Sequence, residues 1–318
     1  MLTKSIHTQQ TDSRGDRTTT GLSQLVKRRP LTAFFVLAYA LAWALWIPLC
    51  VMRDTAPAPY VTMAIILGSN VPSAVAIVLT AVGLGRGGLR TLLRRLLIWR
   101  VGRWYLLLLG PTALIVAAIT VQAVLVGGPT PTLAVSLASA AVYVAFMTFP
   151  GSALGEEIGW RGYALPRLQT RRGALTSSLI LGTLHALWHL PLWLRGLPDY
   201  PSFSLYPAFA IQVVAGAVIY TWLYNSTKGS ILLAVLFHTA TNAPVTLILL
   251  PLGVADYTLP FWLLSALMAL AAIIVVAVYG PSQLSRQHRQ QQTQQPSSLI
   301  TDPVAEPTAS GRHDDVDA

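Results

Sequence analysis

Glu156 and Glu157 stand side by side in a strongly apolar stretch, four residues ahead of Arg161, in a chain that holds only one other glutamate. An ionisable group at the centre of a bilayer costs roughly 2.5–3.5 kcal/mol on insertion scales, so a carboxylate in such a place marks a functional site by default. Glu157 and Arg161 are spaced i,i+4 with the acid on the N-terminal side, the favourable order for a helix ion pair. Glu157 therefore reads as the partner of Arg161, and Glu156, about 100° round the helix, as the freer carboxylate and a candidate general base.

Three of the six histidines also fall in apolar runs. His185 and His189 lie four apart in LGTLHALWHLPLWL, and His238 lies four ahead of Asn242 in LFHTATNAP, so each pair shares a helix face. A carboxylate beside His189 can take a proton from water, while His238 and Asn242 can donate hydrogen bonds to an oxyanion. That inventory suits hydrolysis of an amide bond. Two histidines at i,i+4 with a glutamate elsewhere also form a credible zinc shell, although HExxH is absent. Taken alone, His185 reads as a packing residue.

The elements that must hold these groups are membrane helices. Hydrophobic residues make up 53% of the chain and charged ones 11%, whereas soluble domains carry about 25% charged residues. Apolar runs long enough to cross a bilayer, which takes ~20 helical residues, fall at about 31–52, 60–82, 104–126, 132–154, 174–194, 206–226, 229–251 and 259–280. The expectation is an all-α polytopic membrane bundle of about eight transmembrane helices, multi-pass in the cell membrane. Residues 30–281 would form its domain, with polar, disordered tails at 1–29 and 282–318.

Net charge of +10 raises nucleic acid as a partner, but the positions of the basic residues exclude it. They alternate between loop sets. Arg86, Arg90, Arg94, Arg95, Arg100 and Arg103 follow the second run, and Arg161, Arg167, Arg171 and Arg172 follow the fourth, while the opposite loops hold only Arg53 and Arg195. The positive-inside rule then puts both termini in the cytoplasm. The segment Arg86–Arg103 mixes arginine with Leu, Ile and Trp, the composition of an amphipathic stretch on anionic lipid. Cys50, alone in the chain, reads as packing.

Depth decides whether the polar groups can meet. Counted from the cytoplasmic edge at 1.5 Å per residue, Glu156 lies at ~15 Å, His189 at ~17 Å and His238 at ~13 Å. They can share one level, provided that the fourth run bends or restarts around Pro150–Gly151, since 132–166 is too long for one untilted span.

Together these residues resemble the CPBP family of intramembrane proteases, which includes the type II CAAX prenyl proteases and Abi-type membrane proteins. GEEIGWRGYALPRL resembles the EExxxR motif, His189 the histidine of FxxxH, and His238 with Asn242 matches HxxxN. The aromatic that opens the second motif is His185 here. The resemblance covers about residues 130–250 and implies that Glu156 and His189 activate water, that His238 and Asn242 bind the oxyanion, and that Glu157 and Arg161 support the site. It implies a membrane-associated peptide or protein as substrate and a metal-free mechanism. No cofactor is favoured, because oxyanion binding accounts for Asn242 better than a metal shell does. A zinc shell, if present, would draw on Glu156, His189 and His238, with His185 as a further donor. Two rival readings use the same groups. A proton-coupled transporter would require a repeat, and none is evident; the other rival is a non-catalytic immunity or scaffold protein.

Overall fold

The computed structural model describes residues 28–127, 135–196, 202–249 and 258–286, and every regular element among them is helical. Pro30 opens the first helix, α1 (Pro30–Val51), where its missing N–H costs nothing. Next comes α2 (Ala58–Arg94), kinked at Gly85. With φ 63° and ψ −163°, Gly85 sits in a region that only glycine enters cheaply. Two short 3₁₀ turns, Arg95–Leu97 and Gly102–Leu108, lead into α3 (Leu109–Val126).

The fourth run is α4 (Leu137–Phe146), a π-type turn at Met147–Gly151, α5 (Ala153–Glu157), a second π-type turn at Ile158–Ala164, and α6 (Leu165–Gln169). Its expected break is present: Phe149 has extended angles, φ −163° and ψ 124°, just before Pro150. Pro166 does not end the helix; it sits in the first turn of α6, which continues to Gln169.

The fifth run is not one continuous helix. It consists of α7 (Ala174–Trp188) and the short α8 (Leu190–Arg195), separated at His189. Pro191 explains the break, because it has no N–H to continue the ladder from α7 and is instead at home in the first turn of a new helix. The chain continues with α9 (Tyr206–Ser226), α10 (Ile231–Pro244) with a π-type turn at Val245–Leu249, and α11 (Thr258–Tyr279). Seven described segments, rather than eight, are long and apolar enough to cross a membrane, and the protein is a multi-pass membrane bundle.

Helix α2 packs against α1 and against α5 with its following turn, α7 against α9, and α9 against α11. Close approach of α2 to the glutamate segment depends on small residues. A Cβ at Gly155 would come within 2.5 Å of Asn70, and one at Gly159 within 2.6 Å of the Pro72 backbone. Two glycines four apart let helix backbones meet, the usual device of membrane helix pairs.

Residues 282–286, expected in the tail, pack on the bundle. Leu284 is fully buried, and the carbonyls of Pro281 and Ser282 accept from the N–H groups of Leu175 and Ala174, at 2.9 and 2.8 Å, satisfying the open start of α7. Of the disordered tails expected over 1–29 and 282–318, residues 1–27 and 287–318 lie outside the described residues.

Candidate active site

Both glutamates come from the short α5 and are turned into the bundle, 2% and 0% exposed. A π-type turn directly follows them; such turns widen the helix and recur at functional sites. Arg161 within that turn donates from Nη1 to Glu157 Oε1 at 2.8 Å and lies over the Tyr220 ring at 3.9 Å. The expected pair is therefore formed, and it is fully buried.

Glu157 has a second partner that its spacing to Arg161 does not reveal. His238 Nδ1, from α10, lies 2.8 Å from Glu157 Oε1. Its other oxygen, Oε2, is buried with no hydrogen bond among the described residues. Glu156 is likewise engaged, since its Oε2 lies 2.8 Å from His185 Nε2. The packing residue of the sequence reading is thus the direct neighbour of the candidate base. Glu156, His185 and His189 each offer a donor atom, and the three atoms lie within 4.8 Å of one another. The glutamates and all three histidines therefore share one level.

Hydrogen-bond chemistry fixes part of the proton arrangement. His189 Nδ1 lies 3.0 Å from the carbonyl of His185, and a carbonyl only accepts, so Nδ1 carries the proton. In the neutral ring the Nε2 lone pair is then the basic position. His238 Nδ1 donates to Glu157, so donation to an oxyanion from Nε2 needs the doubly protonated ring, whose charge the Glu157 carboxylate can balance. Asn242 stands one turn beyond His238 on α10, half-buried, with its Oδ1 3.5 Å from Thr241 Oγ1. The zinc shell considered from sequence changes in membership: the clustered donors are Glu156, His185 and His189, while His238 sits on Glu157.

Side chains from other helices donate to backbone carbonyls on both sides of the break at His189, where hydrocarbon offers no donor. Tyr39 donates to Leu184 O, Trp43 Nε1 to Trp188 O at 2.9 Å, Tyr206 to Ala186 O at 3.2 Å and Cys50 to Pro191 O at 3.2 Å. Cys50, read as packing, thus also bonds the turn after His189. On the other wall Asn70 Nδ2 donates to Pro150 O and Ser73 Oγ to Leu154 O, both at 2.8 Å, pinning α5 at its own break.

Aromatic rings close the site. Trp160 lies against His185 with centroids 5.0 Å apart, and Trp188 and Phe209 meet His189 edge-on at 4.8 and 5.2 Å. Sequence reasoning gave Asn70 no role. It also missed the tryptophans, whose nearness to the histidines depends on contacts between segments.

With this geometry in view, a comparison with known protein families falls on the same segment. Residues 136–244 match the family model described as Type II CAAX prenyl endopeptidase Rce1-like. CAAX prenyl protease 2 of Methanococcus maripaludis is 35% identical over 92 residues, 27% of this chain and 34% of the relative. The chain thus aligns with about a third of the length of that curated relative. Both matches support the CPBP resemblance, and the family match spans all three motifs.

Proposed function

We propose that this chain is an intramembrane endopeptidase of the CPBP type, cutting a membrane-associated peptide or protein by water that Glu156 and His189 activate. The observation that carries the reading is the buried Glu156 carboxylate with two imidazoles inside 4.8 Å of it, adjacent to the Glu157–His238 pair. Such a site is costly to build in a membrane bundle unless it performs chemistry.

In this reading Glu156 takes a proton from water, and His189 orients the water through its Nε2 lone pair. The oxygen attacks the scissile carbonyl, whose oxygen becomes an oxyanion held by His238 and Asn242. Collapse breaks the C–N bond, and Glu156 returns the proton to the leaving amine. Glu157 and Arg161 hold His238 in place. No metal enters these steps.

The name of the relative, CAAX prenyl protease 2, makes a prenylated C-terminal peptide the first substrate to assay. Anionic lipid at Arg86–Arg103 and the cell membrane as the site of action complete the proposal. Reconstituted protein should cut such a peptide and keep its activity after exhaustive chelation. Glu156→Gln should lower cleavage by at least about 100-fold, the order of a lost acid–base catalyst, without moving the melting midpoint by more than a few degrees. Unchanged cleavage in that variant would sink the mechanism.

A further inference from the structure

The geometry points to a zinc-class cation site formed by Glu156, His185 and His189, one in which the ion inhibits by occupying the base. His185 is the residue that departs from the aromatic of the resembled motif, and it converts a carboxylate–histidine pair into three clustered donors. Tetrahedral zinc at about 2.0–2.1 Å from nitrogen and oxygen needs donors about 3.4 Å apart, so donors already within 4.8 Å require only small side-chain shifts. Three protein ligands leave a fourth position for water.

Two further features are those of a ligand site. The contact of His189 Nδ1 with the His185 carbonyl at 3.0 Å fixes that ring through one nitrogen, the way a metal-binding histidine is characteristically held. Trp160, Trp188 and Phe209 pack around the two rings and limit their motion. The donors carry one negative charge among them when Glu156 is ionised and both rings are neutral, which favours a divalent ion over water alone.

Inhibition rests on the peptidase reading, because it requires Glu156 to be the base that the ion removes; binding does not. The test therefore reads binding. Equilibrium dialysis of the detergent-solubilised full chain against zinc, in a variant with His7, His288 and His313 replaced by Gln, should give one ion per chain. Cobalt in its place should give the intense visible absorption of a tetrahedral site.

His185→Phe, which restores an aromatic beside Trp160, should weaken binding by more than about 100-fold, the upper end of losses when only an outer partner is removed. His238→Gln should retain it. Absence of stoichiometric binding, wild-type binding by His185→Phe, or loss on His238→Gln would each overturn the site. Failure of the zinc arm with peptide cleavage intact leaves the peptidase reading standing. Binding without cleavage does the reverse.

Discussion

Arg161 is a sensitive probe of the buried network. Its guanidinium is held by Glu157 and by the face of Tyr220, and Glu157 in turn holds His238. Arg161→Leu leaves that carboxylate buried with one partner fewer, and breaking a buried pair from one side costs about 3–5 kcal/mol. Removing both charges with Glu157→Leu and Arg161→Leu together should cost less than the sum of the single changes by about 1–3 kcal/mol. A double-mutant cycle of unfolding midpoints in one detergent measures this, and strict additivity would refute the coupling. The Glu157–Arg161 bond was legible in the sequence because four residues is a local distance on a helix. The Glu157–His238 and Glu156–His185 bonds span 81 and 29 residues, and no local periodicity reports them. Depth counting could bring the histidines to the right level without choosing which imidazole meets which carboxylate.

At the scale of elements, the site depends on α2 lying flush against the glutamate segment. Gly159 is the tightest test, since an added methyl meets Pro72 backbone atoms that cannot rotate away. Gly159→Ala should destabilise the protein by about 1–3 kcal/mol, the usual range for overpacking, and should impair cleavage by moving α5. Gly87→Ala meets nothing within 4 Å and should be neutral or stabilising by up to about 1 kcal/mol. Equal losses in the two variants, read from melting midpoints, would show that backbone proximity is not what matters. Hydropathy located the apolar runs but not the break within the fifth, because it scores side chains and is blind to a backbone that stops donating. Pro150 was read as a break since its run was too long. Pro191 escaped notice because the run it interrupts has the length of an ordinary span, and the donors that tolerate the break, Tyr39, Trp43, Cys50 and Tyr206, come from other segments.

For the whole molecule, the remaining element is the basic segment after the kink at Gly85. Arg86, Arg90, Arg94, Arg100 and Arg103 are exposed, as are Leu93, Leu97 and Trp99. Arg95 instead bonds Tyr224 of α9, and Ser230 joins Ile98 O to the start of α10 at 2.7 Å, so the segment is tied to the helix that carries His238. Exposed arginines interleaved with exposed apolar side chains fit an interface of anionic headgroups, each arginine contributing about 1 kcal/mol near such a surface. Adding phosphatidylglycerol to the solubilised protein should therefore raise its melting midpoint more than phosphatidylcholine does. The difference should shrink in 1 M salt, where the screening length falls to about 3 Å. Gln at positions 86, 90 and 94 should remove most of the difference, while Arg95, being engaged inside the protein, is left in place. A lipid preference that persists in high salt and in that triple variant would place the stabilising lipid elsewhere. Because the segment is tethered to α10, the anionic lipid should also sharpen the pH profile of cleavage or its maximum rate through His238, whereas a purely peripheral anchor would shift only substrate capture.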